Sequence, residues 1–447
     1  MFLKRKESEA EICGSTDDTL LLKPTKQFHT NLYRDPVEEV TSGVVPQLFE
    51  FLKRDDYPQL QCEAALAIKG ISNSSSDMIN TLIDHGSVPI MVSLLSSPKD
   101  VLRGQALHVL GKFAVDSTKS RDIVLSYGVL MPLLAQFNDE TKLYITRKAM
   151  WTFSLLCAGK PKPQFEQMKP AILPLAHLIH TEDDEVLQHA CWALANLSLG
   201  EMDGKQAVID AGVFPRLVEL LLSPSHQLLR PALYTVANII PYVDVIQIQV
   251  FIDNGALPFL LNLLTQNYEN IVKKNACGII SSIIRRTKDH IQAVIEAGII
   301  SPLLQLLQNA DFSMKIPLVR AFCFAITNGT NEQIKFLVHE GCIKSLCDLL
   351  VSPNEARVIK LCLEGFENIL KVGEAEKNQG NTEDTNVFAQ MIDDAGGLQK
   401  IKNLQTHDNS EICEIAVKLL ETYWQKEDDE QLLSGDAPQS VCFLDCN

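Results

Sequence analysis

Glycine returns along this chain at positions 43, 86, 128, 212, 255, 298 and 341, each time inside a variant of one phrase. Asp84-His85-Gly86-Ser87-Val88-Pro89, Asp210-Ala211-Gly212-Val213-Phe214-Pro215 and Asp253-Asn254-Gly255-Ala256-Leu257-Pro258 show it most clearly. The steps are 43, 42, 84, 43, 43 and 43 residues. Pro170 stands where the double step lacks its glycine, and Asp394-Ala395-Gly396-Gly397-Leu398 is a last, stretched copy. A fixed period of this size means that one supersecondary unit is repeated and that each copy buries its apolar face on its neighbours.

One period predicts three helices. A short helix ends at the glycine, which takes the left-handed C-terminal conformation with no Cβ penalty. A second opens with proline in its first turn and carries a leucine stripe such as Leu217-Val218-Glu219-Leu220-Leu221. After a polar break (Ser223-Pro224-Ser225-His226) a third carries small and apolar residues, as in Ala190-Cys191-Trp192-Ala193-Leu194. Three helices in 42 to 43 residues is the length of an armadillo unit. The expected fold is all-α, a right-handed superhelical solenoid of about nine to ten armadillo repeats over residues 25–425. Residues 1–24 read as a tail holding the basic triplet Lys4-Arg5-Lys6, and residues 426–447 as an acidic, disordered tail opening with Lys426-Glu427-Asp428-Asp429-Glu430.

Composition narrows the function. The formal net charge is −16, which argues against nucleic acid or acidic membrane as the partner and favours a basic one. No run of 18 apolar residues suggests membrane insertion. The twelve cysteines lie mostly on apolar stripes without zinc spacing and read as reduced thiols, so neither metal nor cofactor is expected. Gly159-Lys160-Pro161-Lys162-Pro163 lacks the frame of a phosphate loop. No nucleophile–base–acid set clusters, and an enzyme is not expected.

Trp192 and Asn196 are four residues apart, hence on one helical face. The indole is a flat apolar wall. The carboxamide both donates and accepts, which suits the N–H and C=O of an extended peptide. In such a solenoid the third helices line a concave surface, so this pair would face the groove.

Over residues 35–425 the sequence resembles importin α, the adaptor that reads nuclear localisation signals. Gly159-Lys160-Pro161-Lys162-Pro163, Cys191-Trp192-Ala193-Leu194, Ile334-Lys335-Phe336-Leu337 and residues 368–377 resemble its plant branch. The resemblance implies a ladder of Trp-x-x-x-Asn rungs that pins basic peptides in a major site on the second to fourth repeats and a minor site on the sixth to eighth. Asn amides hold the peptide backbone, and lysine and arginine stems lie between indoles by apolar and cation–π contact.

This chain departs from that ladder. By repeat, the rungs read Leu66 and Gly70, His108 and Lys112, Trp151 and Leu155, Trp192 and Asn196, Tyr234 and Asn238, Gly278 and Ser282, and Arg320 and Phe324, with Asn368 in the eighth. Trp151, Trp192, Asn196 and Asn238 are the candidate major-site residues. Lys112 sets a cation where a cationic peptide should lie. The minor site, with Asn275 and Pro317 where the resemblance implies Glu, is expected not to bind, leaving Asn368 as a remnant. The resemblance further implies import cargo as partner, an export receptor at the C-terminal repeats, and transit between cytoplasm and nucleus. Importin β binding is expected to be poor, because only Lys4-Arg5-Lys6 stands in place of the family's basic N-terminal segment. A diverged armadillo scaffold without import activity is the alternative.

Overall fold

The computed structural model describes residues 18–34, 43–138, 140–222, 225–309, 312–351, 356–380 and 385–424. The Lys4–Lys6 triplet and the acidic tail from 426 lie outside the described residues. Regular structure among the described residues is helical throughout.

The period is realised as three helices. In one copy, Met202–Asp210 ends just before Gly212 (φ 70°), Phe214–Leu222 follows, and His226–Ile239 closes the unit. The glycines at 86, 128, 212, 255, 298, 341 and 396 all have φ between 69° and 96°. Gly43 departs from the expectation, with φ −86° as the N-cap of the helix Val44–Leu52. At Pro170 a 3-10 turn, Lys169–Ala171, joins Phe165–Met168 to Ile172–Leu178, so no left-handed residue is needed.

The third helices carry the fold. In the first of two compact units, which ends at Tyr242, they are α1 (Asp18–Arg34), α2 (Pro58–Ser72), α3 (Asp100–Asp116), α4 (Leu143–Leu156), α5 (Asp184–Leu197) and α6 (His226–Ile239). Each packs on the next. Their buried faces, such as Leu60, Ala64 and Ile68 of α2 or Val186, Ala190 and Leu194 of α5, are almost wholly shielded from water. A side chain of this size contributes about 1.5–3 kcal/mol when fully buried. Local chemistry sets the helix starts: Asp183 accepts from the Val186 N–H, and Asp184 and Glu185 place negative charge at the positive end of α5.

One boundary moves. The division at residue 24 between tail and solenoid falls inside α1, whose Leu21, Phe28 and Leu32 are buried and which packs on α2. Pro24 inside the helix masks a seven- and eleven-residue apolar spacing. Among the described residues the stack of third helices therefore begins one helix before the first glycine.

The second unit, from Val243, repeats the plan with α7 (Asn270–Ile284), α8 (Phe312–Asn328), α9 (Ala356–Asn378) and α10 (Ser410–Tyr423), each packed on the next. Glu367 of α9 takes Lys371 and Lys418 at 2.9 Å each, which ties α9 to α10. The described cysteines are all free, and burial pushes Cys191 and Cys277 up to about 12.

Two glycines should respond oppositely to alanine. A Cβ at either Gly255 or Gly278 meets nothing within 4 Å, but only Gly255 has positive φ (87°). Gly255→Ala should therefore destabilise by about 1–2 kcal/mol through the backbone alone. Gly278→Ala, mid-helix in α7, should stabilise by about 0.5–1 kcal/mol. Urea midpoints of the two variants, with unchanged slopes, check the pair; shifts in the same direction contradict it.

Candidate functional site

Along α2 to α6 the rung positions form a continuous row of half-buried side chains set among fully buried neighbours. This is the face on which each helix leaves one stripe open while its other residues pack. The structure sorts the row into two aromatic pairs. The His108 imidazole stacks on the Trp151 indole, centroids 5.5 Å apart and planes inclined by 21°. The Trp192 indole meets Tyr234 edge to face at 5.6 Å and 83°. Such pairs are worth about 0.5–1.5 kcal/mol beyond their burial.

Each pair is built from the helices beneath it. Trp151 lies across Gly111 of α3, where a Cβ would fall 2.2 Å from the indole. Thr152 of α4 donates to the Leu107 carbonyl at 2.8 Å and fixes the two helices at that height. Gly70 of α2 is filled in a similar way, since Leu32 of α1 stands 3.1 Å from where its Cβ would be.

The amides are already bonded. Asn196 donates to the Trp192 carbonyl (2.9 Å), and its Oδ1 accepts from Lys162 at 2.6 Å. Asn238 donates to the Ala195 carbonyl and to Ser198 Oγ, both at 3.1 Å, and so ties α6 to α5.

In the second unit the rungs close on themselves. Ser282 is buried and donates to the Gly278 carbonyl at 2.9 Å. The Arg320 guanidinium stands 5.5 Å from the Phe324 ring of its own helix. Asn275 donates to Ile271 O, and Asn368 donates to Glu364 O and to Thr327 Oγ1.

Sequence models of the armadillo/β-catenin-like repeat match residues 169–199, 202–240 and 287–323, and a model of the atypical armadillo repeat matches 386–439. These matches place the fold among armadillo repeats, and the crystal structure of an engineered protein shares it, superposing with a TM-score of 0.73 at 24% identity over 94% of this chain and 98% of that one. Among curated proteins, importin subunit alpha-1b of Oryza sativa subsp. japonica is 54% identical over 95% of this chain and 80% of the relative. Importin subunit alpha-3 of Arabidopsis thaliana is 51% identical over 91% and 76%. The chain belongs to the importin α family.

Counted from α1 among the described residues, the window that the family resemblance implies shifts by one helix. The second to fourth helices of the stack are α2, α3 and α4, so the window holds Leu66 and Gly70, His108 and Lys112, and Trp151 and Leu155. Trp192 and Asn196 fall on the fifth helix, and Asn238 on the sixth.

The electrostatics of that window are unusual for a surface expected to meet cations. Burial, with the charges of Lys69, Lys112 and Lys148 adding to it, pushes His108 down to about 4. The imidazole is thus neutral at pH 7 and donates from Nε2 to Asn73 Oδ1 at 3.0 Å. Lys148 is itself held below the usual lysine range, chiefly by burial and then by Lys69. A carboxylate, Asp116, lies one turn beyond Lys112 on the same stripe and accepts from Ser76 Oγ at 2.6 Å and from Ser120 Oγ at 3.5 Å. Sequence reasoning passed over Asp116, although the four-residue step from His108 through Lys112 points to it.

Two consequences can be measured. Gly111→Ala should displace the Trp151 ring and cost about 1–3 kcal/mol, visible as a lower urea midpoint and a changed near-ultraviolet aromatic signal. In a background with Trp192 and Trp424 replaced by Phe, Trp151 fluorescence should fall as His108 gains a proton with a midpoint near pH 4. Because the folded value lies below the ordinary 6.5, the folded state binds fewer protons between those limits. His108 therefore destabilises the protein as pH falls through that window and contributes nothing pH-dependent above it. A midpoint near 6.5 would contradict the buried, lysine-flanked setting.

Proposed function

We propose that this chain is a nuclear import adaptor that holds an extended basic signal of a cargo protein along the rung face of its first unit. The relatives are importin subunits, and the similarity to them runs over more than nine-tenths of this chain. The observation that carries the reading is the open row itself. Indoles at 151 and 192 stand on successive helices with amides at 196 and 238, which is the surface an extended Lys/Arg-rich chain needs. Lysine or arginine stems lie on the indole faces, with roughly 0.5–2 kcal/mol of cation–π attraction each. Asp116 meets a charged tip. An adaptor of this kind passes between cytoplasm and nucleus with its cargo.

The same row explains why binding should be weakened or narrowed. Lys112 and Lys148 confront the ligand's charge in a partly desolvated setting, where like charges cost several kcal/mol. His108, being neutral, replaces an apolar wall without adding charge. Among the described rungs of the second unit no Trp stands, Arg320 lies over Phe324 and Ser282 turns back on its own helix, so we expect this unit to contribute little to binding.

A labelled Lys/Arg-rich peptide, titrated at low and physiological salt, tests the reading. Binding should weaken as salt rises. Trp151→Ala should weaken it at least tenfold, a loss of about 1.4 kcal/mol. Lys112→Asn should tighten it, and the Trp192→Ala, Asn196→Ala double variant should weaken it less than Trp151→Ala does. A folded, helical protein that binds no such peptide at physiological salt would sink the adaptor reading.

A further inference from the structure

The loop after α4, Gly159-Lys160-Pro161-Lys162-Pro163, is itself a short basic peptide, and the structure lays it against a rung. Its base is fixed. Arg121, 1% exposed, donates to the Ala158 carbonyl at 2.6 Å and also pairs with Asp122 at 2.7 Å. Gly159 follows with φ 93°, and a Cβ there would fall 2.9 Å from the Arg121 guanidinium and from Thr118. From this anchor the chain carries Lys162 over α5. Its ammonium donates to Asn196 Oδ1 at 2.6 Å, while Lys160 remains exposed.

The Asn196 amide is therefore engaged at both ends within the free protein, by Lys162 on its oxygen and by the Trp192 carbonyl on its nitrogen. We propose that Lys162 is a tethered competitor for the Asn196 rung, a specificity-determining residue that a basic peptide must displace before this amide can accept a peptide N–H. The inference rests on the adaptor reading above and names a residue within it that sets selectivity.

The cleft beside the rung carries carboxylates that would draw a displaced lysine. Lys162 and Asn196 line a cleft of about 600 Å³ whose walls also carry Glu201 and Asp203. A rotation about the lysine side-chain bonds would move the ammonium from a neutral amide oxygen toward these carboxylates with the loop base still held by Arg121. The seat on Asn196 is only moderately favourable for a charge, since burial holds Lys162 below the usual lysine range. Peptides that contact Asn196 thus meet a graded obstacle, and those that bind by Trp151 and Asp116 alone do not.

The test is peptide affinity of the wild type, Lys162→Gln, Asn196→Ala and the double variant. Lys162→Gln should tighten binding of a Lys/Arg-rich peptide about three- to tenfold in the wild-type background and leave it unchanged in the Asn196→Ala background. A second readout follows the lysine directly. Acetylation of Lys162 by an amine-reactive ester, read by mass spectrometry against Lys160 in the same loop, should speed up when peptide is added. Equal tightening in both backgrounds would reduce Lys162 to a general charge effect and overturn the proposal. Wild-type binding that neither Lys162→Gln nor peptide-dependent labelling alters would overturn it too, with the adaptor reading intact. Absence of binding by all four proteins at low salt would defeat the adaptor reading and the gate together.

Discussion

The apolar contact between each third helix and the next is what this molecule cannot do without. A 42-residue unit has too little interior to hide its own Leu, Ile and Phe side chains, so Leu60, Leu107, Phe153 and Leu194 are dry only because neighbouring helices supply the other wall. That requirement fixes the direction of every third helix. It leaves one stripe per helix out of the contact, and the rung row is the sum of those stripes. The proposed binding residues sit on the helices that make the core, which is why small changes in the core reach them: Gly111 and Leu32 are interior residues, yet they decide where Trp151 and the α2 rung lie.

Charge acts on this frame locally. A chain of net charge −16 still gathers Lys69, Lys112 and Lys148 around one imidazole. The bulk charge would favour approach of the proposed basic partner, whereas the charges at the rungs would oppose its final seating. The two effects live at different distances, because screening in physiological salt removes the first beyond roughly 8 Å and leaves the second. Selectivity in such a protein comes from contacts that push away as much as from those that hold.

Much of the fold is legible in the glycine period, because positive φ at a helix end is a demand that few other residues meet. The rungs are legible too, since a four-residue step on a known helix face leaves little freedom. What the sequence hides are features made between repeats. Pro24 conceals α1 and thereby shifts the count of helices. Asp116 looks like helix-end chemistry until its stripe is traced. Lys162 lies 34 residues from Asn196, in a loop whose path depends on Arg121 and on the handedness of Gly159. No spacing rule on one strand of sequence encodes a contact of that kind.

The nesting of Trp151 over Gly111 bears on how an array like this can be taken apart. The hollow at position 111 belongs to one repeat and the indole that fills it to the next, so neither repeat is complete in shape when moved alone. A repeat carrying Trp151 but placed after one with alanine at the hollow would hold its indole off the surface. A repeat carrying Gly111 but followed by a smaller residue would leave a void. At this junction the transferable cassette is the pair, and the natural cut for shuffling or grafting repeats of this solenoid lies elsewhere.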